Sequence, residues 1–380
     1  MRQHWTLEPG ITFLNHGSFG ACPAQVLAEQ SRLRSRMEAD PVRFMVREQE
    51  ALLDQALAAL GTFLGAAAAD LAFVSNATAG VNAVLRSLAF APGDEILTTD
   101  HLYPACRNAI DYVAARTGAC VVVARISFPL KNNSEITKSI LDAASPRTRL
   151  AVLDHVTSPT ALIFPVEELV AALARRGIDT LVDGAHAPGM LPLDLDALGA
   201  AYYVGNCHKW LCAPKGAGFL HARRDRQAAL APLSISHGAT SARTDKSRYR
   251  LLFDWTGTTD PTPALCVPAA LRFMEGLLPQ GWPGVMRANH ALALQARELL
   301  CAALRIAPPA PAEMLGAMAS LLLPERAADL DALWREEGIE VAVFDWAQRP
   351  ARILRVSAQL YNSPADLEKL ASCLRRLYCI

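Results

Sequence analysis

Val182-Asp183-Gly184-Ala185-His186 and Ala201-Tyr202-Tyr203-Val204-Gly205-Asn206-Cys207-His208-Lys209-Trp210 are the two stretches that decide the fold of this chain. In each, a short apolar run ends on a polar group: Asp183 closes Thr180-Leu181-Val182, and His208-Lys209 follows Ala201 to Gly205. Runs of this length, bounded by turns such as Ala187-Pro188-Gly189, read as buried strands. The pattern repeats upstream, where strands over 71–74, 95–98, 119–125 and 149–154 precede helices over 79–89, 105–117, 134–144 and 166–176. A further strand over 218–221 follows Lys209. Such alternation predicts an α/β fold with a mostly parallel sheet covered on both faces.

The flanks read differently. Residues 24–60 carry a charged helical pattern, and 222–262 are polar and irregular. Beyond Pro263 the chain turns helical over 267–278 and 285–304, then mixes strands and helices over 317–323, 329–337, 353–357 and 365–377. This predicts a large domain over 15–262 and a smaller α+β domain made of 1–14 with 263–380, the boundary falling within 255–285.

Composition narrows the class. The 380 residues are 52% apolar and 19% charged, with a formal net charge of zero, as expected of a globular chain with a large core. Zero net charge gives no basic surface for nucleic acid or an anionic membrane. The nine cysteines are odd in number and form no CxxC pair, which suits reduced thiols in the cytoplasm better than a disulfide framework. His and Cys do not cluster at metal-ligand spacing. The first residues lack the apolar core of a signal peptide, and no apolar run is long enough to span a membrane.

Open α/β sheets bind ligands at the carboxyl ends of their strands, and the chemistry-bearing residues fall at such ends. An aspartate followed by a lysine at the end of a neighbouring strand is the layout of a pyridoxal 5'-phosphate (PLP) site. There the carboxylate pairs with the protonated pyridine nitrogen, and the lysine holds the aldehyde as a Schiff base. A lone Lys209 would most often be a surface residue; with Asp183 upstream it reads as an amine of depressed pKa in an apolar pocket. Asp183 alone would be an ordinary cap, but His186 and a Gly/Pro-rich turn follow it. His186 is placed to bond the ring hydroxyl or Asp183, or else is a satisfied core histidine. Asn76-Ala77-Thr78 opens a helix, so Ala77 N–H, Thr78 N–H and the Thr78 hydroxyl suit a phosphate, although Asn and Thr are also common caps. Asn206 and His208 can add side-chain donors. In Asp100-His101-Leu102-Tyr103-Pro104 either His101 or Tyr103 can stack on the ring, and Pro104, which fixes the backbone, favours Tyr103. Ser158 offers a hydroxyl to the phenolic oxygen. Arg355 presents a fork suited to a substrate carboxylate, or forms a surface salt bridge.

These residues, together with Leu14-Asn15-His16-Gly17-Ser18-Phe19-Gly20, Ala213-Pro214-Lys215-Gly216, Trp255-Thr256-Gly257-Thr258 and Tyr361-Asn362, carry a resemblance that runs nearly end to end. The chain resembles the class V aminotransferase family, fold type I among PLP enzymes, and within it the isopenicillin N epimerase-like branch. The resemblance implies a homodimer with active sites at the interface, where Gly257-Thr258 reaches the phosphate of the partner's cofactor. It implies that Arg355 holds the substrate α-carboxylate and that Asn15 and His16 border the substrate pocket. Lys209 then moves the Cα proton, with Asp183, His186 and Tyr103 as the other catalytic candidates.

Two departures bear on the reaction. Cysteine desulfurases of this family carry a nucleophilic cysteine shortly before the arginine matching Arg355, whereas residues 341–349 contain none. Thr259 also stands where the epimerase-like branch often has arginine. The expected activity is epimerisation of an amino acid. The alternatives are a C–S (β-)lyase resembling hercynylcysteine sulfoxide lyases, an aminotransferase, and a non-catalytic PLP-fold binding protein. A second acid for epimerisation comes from Tyr103, His101 or a mobile Lys209.

Overall fold

A seven-stranded sheet forms where the alternation predicts one. The structure, a computed structural model, describes residues 1–325, 328–346 and 352–380. The strands in chain order are β1 (Thr12–Phe13), β2 (Leu71–Val74), β3 (Glu95–Thr99), β4 (Cys120–Ala124), β5 (Thr148–Asp154), β6 (Asp179–Gly184), β7 (Tyr202–Asn206) and β8 (Gly218–Ala222). They continue as β9 (Met318–Leu322), β10 (Ile339–Glu340), β11 (Ala342–Asp345) and β12 (Arg352–Ser357). The large sheet has the order β2-β8-β7-β6-β5-β3-β4. Its β3–β7 neighbours pair in parallel, and β8 runs antiparallel to both β7 and β2.

Strand alternation sends successive side chains to opposite faces, and here both faces are covered. Ala151, Leu153, Val182 and Tyr203 join one core layer. Leu150, Val152, Leu181 and Val204 join the other, beneath the helices Ala77–Ser87 and Pro104–Thr117. The parity matters for the site: Asp154 and Asp183 continue the Leu150/Val152 and Leu181 rows, and so turn to the second layer.

A three-stranded antiparallel sheet, β11-β12-β9, packs with the long helix Gly281–Leu304 and the helix Pro364–Tyr378 in a third core layer. The long helix begins before the expected residue 285 because Pro283 sits in its first turn, where a missing N–H leaves no bond unmade. N-terminal β1 pairs in parallel with β10 near the other end of the chain. The charged pattern over 24–60 is broken into helices Ala24–Ala39 and Gln49–Leu64 with a π-helical turn, Arg43–Glu48, between them. Asp40 precedes Pro41 and leaves the helical region (φ −157°, ψ 86°), as the proline ring requires. Among the described residues no helix is long and apolar enough to cross a membrane.

Candidate active site

The ends of β5, β6 and β7 converge with the loop after β7 and with β12. Asp183, the penultimate residue of β6, is buried, and each oxygen accepts one hydrogen bond. Oδ1 takes the Ala185 N–H at 3.0 Å and Oδ2 the Cys106 thiol at 3.2 Å. Burial raises its carboxyl above the ordinary range, against the pull of these two donors and of Lys209.

Lys209 follows β7, with Nζ 3.1 Å from His186 Nε2. Its amine is lowered to about 7, first by burial and then by the Arg355 charge; Asp183 opposes both. The loop that carries it is clamped from two sides. At Gly20 (φ +69°) a Cβ would lie 2.0 Å from the His208 carbonyl oxygen, and at Gly189 (φ +84°) one would lie 2.7 Å from the Trp210 carbonyl. Only glycine admits both the left-handed backbone and the close approach.

His186 is buried and held neutral, well below its usual range, by burial and then by Lys209. With Lys209 donating to Nε2, the neutral ring carries its proton on Nδ1. That atom is buried and has no partner among the described residues. An interior N–H without an acceptor is a costly arrangement unless a ligand supplies the acceptor.

Arg355 lies on β12 and is 1% exposed. Nη1 donates to Ser158 O at 2.6 Å and to Ser158 Oγ at 3.2 Å, and Nη2 donates to Ser18 Oγ at 3.1 Å. The guanidinium lies over the Phe344 ring, 5.1 Å from its centroid. Burial lowers it to about 10, and it remains a cation at neutral pH. Among the described residues no carboxylate reaches it, and Nε has no partner. The competing reading of a surface salt bridge is therefore set aside.

Other expected residues fall differently. Asn76 caps the helix Ala77–Ser87 by accepting from Ala79 N, and Ala77 N–H is spent on Asn206 Oδ1 at 2.9 Å. This removes Ala77 N–H and the Asn206 carbonyl from the expected phosphate set. It leaves Thr78, whose N–H and hydroxyl donate no hydrogen bond among the described residues. His208 Nδ1 donates to Ala217 O at 3.2 Å, and burial first lowers its ring to about 4. Gly257 (φ +115°) lies in open space, and Thr258 lines the same cavity as Ser75 and Ala79.

His101 and Tyr103 differ in burial. His101 is fully buried, its Nδ1 2.8 Å from Thr160 Oγ1 and its Nε2 donating to Ile126 O at 3.1 Å, and it meets Trp346 edge-on. Both of its ring nitrogens are engaged within the core. Tyr103 is 42% exposed where the helix Pro104–Thr117 begins. His16 also departs from its expected place at the substrate. It is fully buried, Nε2 donates to Lys209 O at 2.9 Å, and Nδ1 accepts from Tyr361 Oη at 2.9 Å. Burial lowers it to about 3, so it is neutral and has no free ring nitrogen for a ligand. Asn15 acts at one remove, accepting from Ser18 Oγ at 2.6 Å. Sequence reasoning assigned no role to Cys106 or Asp154, and placed Ser18 only within the N-terminal motif bordering the substrate pocket. Asp154 offers a usable signal, an acidic residue ending a strand just as Asp183 does.

The donor set fits PLP. A buried carboxylate for the ring nitrogen, an unpaired His186 N–H for the ring hydroxyl, a buried amine of low pKa and the start of a helix at Thr78 lie together. Residues 347–349, the end of the cysteine-free stretch, lie outside the described residues.

Comparison with known proteins agrees. The family model described as aminotransferase class-V matches residues 20–370. The chain is 37% identical over 393 residues to the isopenicillin N epimerase of Amycolatopsis lactamdurans, covering 99% of this chain and 97% of that protein. It is 30% identical over 411 residues to a putative L-cysteine desulfhydrase 1 of Oryza sativa subsp. japonica, covering 97% and 84%. Among solved structures, a C-DES mutant with glycine covalently linked to the PLP cofactor superposes with a TM-score of 0.84 at 22% identity, covering 99% of both chains. Sheet order, site geometry and near-full-length identity lead to one conclusion: the chain belongs to the class-V aminotransferase family.

Proposed function

We propose that this protein is a PLP-dependent enzyme that epimerises an amino-acid substrate at Cα. The observation that carries the reading is Arg355, a buried cation without a counter-ion among the described residues, in the same electrostatic neighbourhood as a Lys209 amine of pKa about 7. An amino acid brings a carboxylate for the first and a Cα proton for the second. PLP, when bound, supplies an electron sink for the bond broken at Cα. Asp183 would hold the proton at the ring nitrogen, and His186 Nδ1 and Ser158 would bond the ring hydroxyl. Thr78 and the Asn206 amide would hold the phosphate, with Gly257 and Thr258 of a second copy; His208, neutral and with its proton spent on Ala217 O, has no N–H to add. Lys209 would remove the Cα proton, and Tyr103 would cover the ring and serve as the second acid. The near-full-length likeness to an isopenicillin N epimerase supports epimerisation.

A C–S lyase is the second reading, supported by the likeness to a plant protein named a putative L-cysteine desulfhydrase. Desulfurase chemistry is disfavoured because residues 341–349 hold no cysteine. The same proposal divides the chain into a cofactor-binding part, 15–262, and a smaller part, 1–14 with 263–380. Exposed Val46 and Leu233 line cavities that also contain Trp255 and Gly257-Thr258, respectively, which supports a homodimer closing over that segment. Nine free cysteines support a cytoplasmic setting.

The test is the visible spectrum of the purified protein during exposure to a panel of L-amino acids and cysteine conjugates in deuterated water. Epimerisation predicts deuterium at Cα with both enantiomers recovered and nothing released. Pyruvate and ammonia instead would establish the lyase, and a protein that stays colourless with added PLP would remove both readings.

A further inference from the structure

Asp183 does not stand alone. The parallel strands β5 and β6 place Asp154 and Asp183 side by side as Cα partners at their ends. Residues two apart in a strand share a face, and Leu150, Val152 and Leu181 pack in the layer that also holds Cys106 of the helix Pro104–Thr117. Both carboxyls point into that layer, and both residues are buried, 3% and 2% exposed.

Their partners are unequal. Asp183 accepts from the Ala185 N–H and the Cys106 thiol. Asp154 Oδ2 is buried and accepts from no donor among the described residues. The groups acting on Asp154 are the Asp183 carboxyl on β6, the Tyr103 backbone N–H above it, its own backbone N–H, and the Lys209 amine beyond β7. Cys106, on the helix covering both, is a neutral thiol. One cation of low pKa does not offset two adjacent buried carboxylates, so one keeps a proton. Both Asp183 oxygens have a donor and Asp154 Oδ2 has none among the described residues, which places the proton on Asp154. Burial and the neighbouring Asp183 hold the Asp154 carboxyl well above the ordinary range, in agreement.

We propose that Asp154 is a positioning residue that stays protonated at neutral pH and donates a hydrogen bond to the Asp183 carboxylate. Asp183 then faces the ring nitrogen as a single, oriented negative charge. The inference rests on the PLP reading above, because the ring nitrogen is what Asp183 serves. It predicts that a neutral donor can replace Asp154 and that a neutral non-donor cannot.

The experiment is a pH titration of the visible band of the holoenzyme for wild type, Asp154→Asn and Asp154→Leu. The expected result is an unchanged midpoint in the Asn variant and a shifted midpoint in the Leu variant. If Asp154 is ionised, Asp154→Asn removes a negative charge near the chromophore and lowers the midpoint by about one pH unit or more, which overturns the proposal. Equal midpoints in all three proteins also overturn it, because no hydrogen bond to Asp183 is then being read. Wild type alone gives a second readout that survives misfolded variants. A protonated-carboxyl stretch must persist in its infrared spectrum above neutral pH, and absence of that band overturns the proposal. A wild-type protein that never turns yellow removes the PLP reading itself and the inference with it. Wild type is examined first, so the two failures stay distinct.

Discussion

If burial and Arg355 set the Lys209 amine, its reactivity must be unlike that of any surface lysine. The amine is lowered from 10.5 to about 7. That difference makes roughly half of Lys209 neutral at pH 7, against roughly one ordinary lysine in several thousand, an advantage on the order of a thousandfold. The assay adds PLP to apoprotein across the range from about pH 6 to about pH 9, traps the adduct with borohydride at short times, and maps the modified lysine by mass spectrometry. Capture at Lys209, normalised to the other lysines in the same sample, should be highest at neutral pH and fall as the surface amines deprotonate. Arg355→Met removes the charge ranked next after burial, so the normalised maximum should fall and move to higher pH. A Lys209 yield that climbs in parallel with the surface lysines would refute the electrostatic account. An adduct at a different lysine would refute the assignment itself.

Three further outcomes are expected. Burial lowers His16 to about 3 and His155 and His208 to about 4 from the ordinary 6.5, so each stays neutral in the fold while the unfolded chain takes up a proton. Their stabilisation is complete above about pH 6.5 and is lost as pH falls towards those folded values. The loss should be about 2 kcal/mol per group at pH 5, and a denaturation midpoint that is flat from neutral to pH 5 would contradict it. Gly189→Ala places a Cβ against the Trp210 carbonyl at φ +84° and should cost about 1–3 kcal/mol in thermal unfolding; an unchanged Tm would show that the loop yields freely. Arg355→Lys keeps the charge but loses the fork that grips Ser158 and Ser18. The KM for the amino acid should rise about tenfold or more, and wild-type KM would deny the fork its role.

The large sheet was legible because its strands are short apolar runs bounded by turn residues, and each of the seven lies within a residue or two of its expected place. What escaped prediction is held by charge or by register. The helix Arg248–Phe253 sits in a stretch that reads as irregular, yet Arg250 is buried and bonds Asp54 and Asp254, and Lys246 joins the same carboxylates. An ion network has no apolar period to betray it. The helix expected over 79–89 starts two residues earlier because Asn76 is its cap and Thr78 lies inside the first turn. In the site, Lys209 and Asp183 were legible as charged residues at strand ends, and Arg355 as a fork suited to a carboxylate. Cys106, Asp154 and Ser18 matter through a helix face, a neighbouring strand and an arginine from the far end of the chain, and none of these adjacencies is visible in chain order. The same holds for His16, which lies in an informative motif but turns inward to clamp the Lys209 carbonyl.

The distribution of charge bears on which reaction follows. Burial keeps His16, His186 and His208 neutral at physiological pH, and His101 is locked in the core with both nitrogens engaged. None of them is an acid of useful strength there. Among the expected catalytic residues, the groups left to exchange a proton are the Lys209 amine, poised near neutrality, and the half-exposed Tyr103 hydroxyl. Epimerisation needs one proton taken and one returned, and these two groups suffice. The Lys209 amine also sets its pH dependence. An exchange that runs through Lys209 alone returns the substrate's own proton part of the time, whereas a second donor at Tyr103 returns one from solvent. The isotope content of product against recovered substrate therefore separates a single mobile base from a pair. Tyr103→Phe should abolish solvent incorporation into the opposite enantiomer while leaving exchange without inversion intact, and inversion at the wild-type rate in that variant would leave Lys209 as the sole carrier.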